Sequence, residues 1–453
     1  MNRINFFQKK LLIKCADYLS KLKKSKIDIS LSPLCFFTIW ASSPGHIKVN
    51  SFAGKNASFN FFFIFKNILS IMKNHDLNLY YKKQLNFKKL KKMNLIISYS
   101  SKGNFDSSGH FHDNFFNTNN RKNKNLIWFL ISTDNFVPKN LKNNIILVAK
   151  NKNNSVSFFY FIKSIIKLIL YTKFSLSKFY HYCWFEYNYS LVISNLFKDF
   201  FNGCNIRNVI INYEGIPFQH FLLKTIKELN LRTKTYGYLH CAPWPLQVDL
   251  FYKKNLLDKL IVSGIDQKKI LEKELGWKKN LISVIPSLRF DKKNKKEFSG
   301  YIFVPYNLKK NNNYLIRFEE FLKNLPSKCI NKLQVRIHPL NKSSGLHQRF
   351  SIDAKKIIKK YKQKFSSKNE SLSFFFGSAT GVCIQALEEG TKIIHFPENQ
   401  LLDVFSQKIW KNIKIHKLGD NIFSYKILKR GRIFHVNHEK NKFNKYLLPL
   451  FKT

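Results

Sequence analysis

Glu214 stands directly after the apolar run 208–213 and directly before Gly215. A carboxylate there either partners the N-terminus of a following helix or takes a proton from a hydroxyl. His240 ends the next strand-like stretch, residues 234–240. It could orient Glu214, hold a phosphate, or be a satisfied structural histidine. Arg336 and His338 stand two apart in the stretch 332–340, so a strand would send both side chains from the same face. Pro339 removes a ladder donor and ends that strand. A cation and an imidazole at a strand's carboxyl end suit a diphosphate or a nucleotide monophosphate. Farther on, Gly377-Ser378-Ala379-Thr380-Gly381 follows a short apolar run. Such a turn aims backbone N–H groups, hydroxyls and the positive end of a helix at one point, which is an anion site. The plainer reading is a βαβ crossover turn in which Ser378 and Thr380 only cap the helix. Glu398, just past the strand-like stretch 392–397, is placed to take ribose hydroxyls.

Elements must hold these groups. From Met93 onward, apolar runs alternate with helical segments. Strands are expected at 94–99, 126–131, 145–148, 208–213, 234–240 and 257–262, and helices at 158–171, 189–201 and 218–229. The loop 100–117 between the first two strands is polar and carries His110, His112 and Asp113. A second set begins at 300–304, with helices at 314–325 and 354–364, the His-Pro strand, and the strand–turn–helix–strand unit 372–397. This alternation implies parallel sheets covered on both faces. The fold class expected is therefore α/β, two Rossmann-like domains with a cleft between them, preceded by a mixed extension. The bounds read as an extension at 1–91, an acceptor domain at 92–290, a charged linker at 291–299, a donor-nucleotide domain at 300–430 and a tail at 431–453. Within the extension, a short strand falls in 28–40, a helix in 59–72 and a lysine-rich connection at 80–92.

The chain has 453 residues and a net charge of +51. That charge suggests a nucleic-acid partner. The lysines are spread along the whole chain rather than gathered, and Lys, Asn, Ile and Phe together are the residues of A/T-rich codons. A diffuse attraction to anionic surfaces follows, and no specific nucleic acid. The seven cysteines are odd in number with no CxxC spacing, which argues for a reducing compartment. No signal peptide is visible, and the apolar runs 59–72 and 158–170 are too short and too lysine-bearing to span a bilayer. A cytoplasmic protein, peripheral on the inner face of the plasma membrane, is expected.

The pattern resembles glycosyltransferases of the GT-B fold, of the surface-polysaccharide (capsule and lipopolysaccharide) type. The resemblance rests on the His-Pro strand end, the Gly-Ser-x-Thr turn with its Ala-Leu-x-x-Gly exit, the stretch Tyr213-Glu-Gly-Ile-Pro-Phe-Gln-His, and Gly237-Tyr-Leu-His240. It covers roughly residues 93–420. It implies an inverting transferase that moves a sugar from a nucleotide-sugar donor to a lipid-linked or saccharide acceptor. Glu214 or a histidine would be the base, with His110 and Asp113 as further base candidates in the first loop. Arg336, His338, Gly377, Ser378 and Thr380 would hold the donor. Many such families carry Glu where Gln385 stands, so the donor contact made there changes from a charge to an amide. The chain has no Asp-x-Asp, and the resemblance implies charge neutralisation by Arg, His and a helix end, with no metal and no other cofactor. Two alternatives stay open: a CMP-sugar transferase of the sialic acid or Kdo type, and a non-enzymatic basic protein binding RNA or an anionic membrane.

Overall fold

The structure is a computed structural model and describes residues 1–24, 77–82, 93–150, 162, 166, 170, 184–230, 232–291, 299–306, 308–310, 312–324, 333–338, 341–361, 372–377 and 381–451. The strand expected in 28–40 and the helix at 59–72 lie outside these residues. So does the helix at 158–171, apart from helical Ile162, Ile166 and Leu170, and so does most of the charged linker.

The chain opens with helix α1 (Asn2–Lys24). Its buried Ile4, Leu11, Leu12 and Cys15 recur at helical spacing, so one face joins the core. Then come β1 (Leu77–Tyr80), β2 (Met93–Ser100), the hairpin β3 (His112–Asp113) and β4 (Thr118–Asn119), β5 (Leu126–Ser132) and β6 (Ile145–Lys150). Helix α2 (Trp184–Phe201), β7 (Ile206–Asn212), α3 (Pro217–Leu229), β8 (Lys234–Tyr238), β9 (Lys259–Val262), α4 (Ile265–Glu274) and β10 (Ile282–Val284) complete the first half. Apart from the hairpin, these strands form one eight-stranded sheet of order β1-β6-β5-β2-β7-β8-β9-β10. Every pairing in it is parallel except β1 with β6. From β2 the chain winds outward through β5 and β6, then returns to wind the other way through β7 to β10. The strand order therefore reverses between β2 and β7, the point where open α/β sheets bind ligands. Strand β1 falls between the helix expected at 59–72 and the connection expected from residue 80, where no element was expected. Four residues at an antiparallel edge are too few to show a period.

The second half contains β11 (Tyr301–Phe303), α5 (Tyr314–Lys323), β12 (Gln334–Arg336), α6 (Gly345–Lys360), β13 (Leu372–Phe376), α7 (Gly381–Glu388), β14 (Lys392–Phe396), α8 (Gln400–Asp403), β15 (Ile413–Gly419), β16 (Ile422–Ile427) and, beyond the sheet, α9 (Lys442–Tyr446). Its sheet has six strands in the order β12-β11-β13-β14-β16-β15, with the reversal between β11 and β13. The architecture is thus α/β with two Rossmann-like sheets, a GT-B-like arrangement. The closing antiparallel hairpin β15–β16 is an addition to the expected elements. It turns at Asn421, whose φ of 56° is left-handed and suits Asn.

Two connections tie the halves together. The carboxylate of Glu388, at the end of α7, accepts from the N–H groups of Gly431, Ile433 and Phe434. That pins the segment which returns to the first sheet. There Arg432 pairs with Asp266 at 2.9 Å, and the Ser287 N–H reaches the His435 carbonyl at 2.8 Å. Gly264 is required at this crossing, because a Cβ would lie 1.9 Å from the Ile433 carbonyl oxygen. Phe443, Leu447 and Phe451 of the tail then cover the Trp128 and Ile210 face of the first sheet. At the other connection, α1 wedges between the halves. Gln8 Nε2 donates to the carbonyls of Leu401 (2.9 Å) and Val404 (2.6 Å), while Lys9 pairs with Glu274 of α4. Among the described residues no helix is long and apolar enough to cross a membrane.

Candidate active site

Strand β7 runs buried through Ile206–Asn212 and delivers Tyr213 and Glu214 to the carboxyl edge at the reversal point of the first sheet. The turn that follows is fixed by one residue of α3. Gln219 Oε1 accepts from the N–H groups of Glu214 (2.8 Å) and Gly215 (3.1 Å), and its Nε2 donates to the Asn212 carbonyl at 2.7 Å and to Tyr99 Oη at 3.3 Å. Gly215 has φ +76°, and a Cβ on it would lie 2.5 Å from the Asp249 carbonyl oxygen. This packing brings Asp249 beside Glu214.

Glu214 Oε1 lies 3.4 Å from His240 Nε2, with 24% of the Glu214 side chain and 5% of the His240 side chain accessible. The carboxylate is therefore wrapped by protein yet open to the cleft. Burial, with the neighbouring negative charge of Asp249, pushes the Glu214 pKa up to about 7, against the opposing pull of Arg289. Burial, then the Arg289 charge, holds His240 well below its ordinary value, so it is neutral at pH 7. Its Nδ1 is buried without a hydrogen-bond partner among the described residues. Burial also pushes the Cys241 thiol up, with Glu214 adding to it, which keeps that residue from serving as a thiolate.

Arg289 and Phe115 complete this side. The guanidinium lies 5.1 Å from the Phe115 ring centroid, and Phe115 stands edge-on to His240 at 4.5 Å. Neither had been singled out in the sequence. Arg289 obeys the rule that drew attention to Arg336, a cation past the carboxyl end of a strand, here β10. Its signal was masked by the lysine run that follows it. Phe115 carried no signal, because one aromatic in a polar loop has no period.

Of the two base candidates of the first loop, Asp113 feels the charge of the same Arg289 that acts on Glu214, whereas His110 lies apart. His110 Nδ1 meets Asn120 Oδ1 at 3.3 Å, and Asn120 bonds Asn144 at 3.0 Å, which in turn reaches the Leu126 carbonyl at 3.1 Å. That chain of contacts sits where β5 and β6 begin, at the edge opposite Glu214. Asp113 is fully buried, and its Oδ1 accepts from the N–H groups of Phe115 (2.8 Å) and Phe116 (3.1 Å). It builds the turn that aims Phe115. Burial raises its pKa to about 6, against the pull of its hydrogen bonds and of Arg289.

On the facing edge, β13 ends at Gly377, beside Pro305 at the end of β11, again at a reversal point. Gly377 has φ +76°, the left-handed region that Gly enters without strain. Its carbonyl oxygen is held by His395 Nε2 at 2.6 Å, and His395 Nδ1 meets Tyr425 Oη at 2.6 Å. Burial lowers the His395 pKa to about 4, so this histidine is a neutral brace. Ser378 and Thr380 lie outside the described residues. Helix α7 begins at Gly381 against the first half, where a Cβ would come 3.7 Å from Ala242 Cβ, two residues past His240. Gln385 of that helix is buried, and its Nε2 has no partner among the described residues.

His338 stands at the exposed end of β12 with its ring edge-on to Tyr306 at 5.0 Å. Burial of part of the ring lowers its pKa, and the charge of Arg289 adds to this, so His338 faces the first half. Arg336 takes another course. Its guanidinium lies over the rings of Tyr301 (5.5 Å) and Phe303 (6.0 Å) of the neighbouring strand β11. Both side chains are on the exposed side of the alternation that runs from Gln334 to His338. Glu398 pairs with Lys309 in a 320 Å³ pocket also bordered by Tyr314, Arg317 and Asp420. That pocket touches the Gly377 turn through Tyr314, whose hydroxyl is buried without a partner among the described residues. Among the described residues no group of three or more His, Cys, Asp or Glu side chains could hold a metal ion.

No family model matches the chain, and no curated protein matches it. Among solved structures, the chain is similar to one of the wall teichoic acid polymerase TagF with CDPG, at 10% identity and a TM-score of 0.30, over 73% of this chain and 77% of that one. A likeness of that size carries no argument about substrate or activity.

Proposed function

We propose that this protein is a glycosyltransferase that moves a sugar from a nucleotide-sugar donor to a hydroxyl of a lipid-linked or saccharide acceptor, with inversion and without a metal, in the building of a surface polysaccharide. The observation that carries the reading is the Glu214–His240 pair at one reversal point, open to a cleft whose other wall is the Gly377 turn and His338. A binding protein has no need of a largely buried carboxyl group tuned to about 7. That is the range in which a general base both holds its charge and accepts a proton. The acceptor hydroxyl would give its proton to Glu214. His240, neutral, would position the carboxylate through Nε2 and offer Nδ1 to the substrate. Arg289 and His338 would meet the diphosphate as its negative charge grows on the leaving group. The Gly377 turn and the start of α7 would hold the same phosphates. Gln385 and Glu398 would take hydroxyls of the sugar or ribose.

The excess of lysine favours an anionic membrane as the surface on which the acceptor is met, with the chain peripheral on the cytoplasmic side. Exposed Phe6 and Ile13 on α1, with Arg3 and Lys10 on the same exposed side, suit that contact.

The test is a pair of measurements. Calorimetry with UDP, GDP, dTDP, CMP and CDP identifies the nucleotide, and single-turnover rates with the matching sugar donor follow. Glu214→Gln should bind that nucleotide as the parent does and lose roughly 10²–10⁴ in rate. Stabilisation by CMP alone would move the reading to a CMP-sugar transferase. Binding of no nucleotide, with RNA held at physiological salt, would replace the enzyme with a binding protein.

A further inference from the structure

A second cavity lies beside the active site, on the far side of the hairpin β3–β4. Its volume is about 610 Å³, and it opens between that hairpin and tail residues 438–444. Two of its lining residues are close in sequence to residues described above. His112 precedes Asp113, and Asp291 stands two residues past Arg289.

Charge in this cavity is unbalanced. Its two acids are already neutralised. Asp291 pairs with Lys442 at 2.8 Å. Glu439 pairs with Lys445, bonds Tyr446 and accepts from Asn437 at 3.0 Å, and these contacts, led by Lys445, hold its carboxyl down at about 2. The remaining charged groups are Lys122 and Lys440, flanked by the imidazoles of His112 and His438. Among the described residues none of these four makes an ion pair. Burial lowers the His112 pKa, and the charge of Lys122 lowers it further, so positive charge here lacks a counterpart. The rest of the lining is mostly amide. Asn117 and Asn441 present carboxamides from opposite walls, which pair with hydroxyl groups as donor and acceptor at once. Two cations and two imidazoles call for an anion of more than one charge, and facing amides call for hydroxyls beside it.

We infer that this cavity is a binding site for a phosphate-bearing, hydroxyl-rich ligand, a phosphorylated saccharide in chemical class. The lysines grip the phosphate, His112 and His438 donate to it, and the asparagines read the hydroxyls. The inference stands independently of the transferase reading, since its test involves no turnover.

The test is an NMR titration of the full chain, following the histidine ring resonances, with His112 and His438 assigned through His112→Gln and His438→Gln. Glucose 6-phosphate is the probe, with inorganic phosphate and glucose as comparisons. The His112 and His438 signals should move together on adding glucose 6-phosphate, and the His112 pKa should rise as the anion neutralises Lys122. The Lys122→Ala, Lys440→Ala double variant should weaken the affinity by about tenfold or more, while the double variant Lys414→Ala, Lys417→Ala on β15 leaves it unchanged. Asn117→Ala should bring glucose 6-phosphate down to the affinity of inorganic phosphate. Equal weakening by both lysine pairs would overturn the inference in favour of diffuse charge. So would inorganic phosphate binding as tightly as the sugar phosphate to the unaltered protein.

Discussion

His240 and His395 are both buried histidines at carboxyl edges of parallel strands, one in each half, and they are used differently. His395 has both ring nitrogens engaged at 2.6 Å, to a backbone carbonyl and a tyrosine hydroxyl. His240 has one contact, at 3.4 Å, and a buried Nδ1 left over. A buried polar atom without a partner costs about 1–3 kcal/mol, so His240 supports the fold less than His395 does. The brace holds the Gly377 turn still, whereas the unsatisfied histidine waits beside Glu214. On the proposed reading, the second half grips the donor and the first carries the base.

The comparison breaks most visibly at the brace. His395→Phe keeps the ring and removes both hydrogen bonds, leaving the Gly377 carbonyl and Tyr425 hydroxyl unpaired in the core. A loss of roughly 2–4 kcal/mol in folding stability is expected by denaturant titration. His240→Phe should cost far less stability, because it removes an unmet acceptor, and should appear in the rate. Equal destabilisation by the two would erase the distinction.

Next in size is His338→Ala. Loss of a charge-assisted phosphate contact should weaken free-nucleotide binding by about 1.5–3 kcal/mol, roughly ten- to a hundredfold in calorimetry. Unchanged affinity would remove His338 from the grip.

The carboxylate supplies a smaller, pH-dependent effect. The folded-state pKa of Glu214 is raised, so the stability it contributes is present below its unfolded value and is lost as pH rises through about 7. Glu214→Gln should therefore melt higher than the parent at pH 8 by the equivalent of roughly 1–3 kcal/mol, with the gap closing near pH 4. A gap independent of pH would mean that packing, not charge, was altered.

The smallest effect is assigned to Arg336. Its guanidinium rests on two rings along the sheet, so Arg336→Ala should leave nucleotide affinity within about threefold, in contrast to His338→Ala. A tenfold loss would return Arg336 to the donor site.

Much of this contrast could be read in the sequence. Uninterrupted apolar runs gave the parallel strands, and the residues just past them, Glu214, His240, His338 and Gly377, were visible because a polar group ends an apolar run. What stayed hidden depended on geometry across the chain. Arg336 and His338 share the exposed side, as their spacing implies, yet the spacing did not show that the Arg336 guanidinium rests on Tyr301 and Phe303. His110 and Asp113 stand three apart in one loop, yet the loop carries His110 to the opposite edge and leaves Asp113 buried within range of the Arg289 charge. His395 was passed over inside its strand, since alternation does not show whether a buried imidazole has partners. Arg289 was hidden by the lysines next to it.

The central claim is that Glu214 is a carboxyl group tuned for proton transfer. The direct measurement is its titration, by ¹³C NMR of glutamate-labelled protein with the signal assigned through Glu214→Gln. The account predicts a midpoint of about 7, rising further in Arg289→Leu as the stabilising cation is removed. A midpoint near the ordinary glutamate value of about 4.3, unmoved by the loss of Arg289, would contradict it.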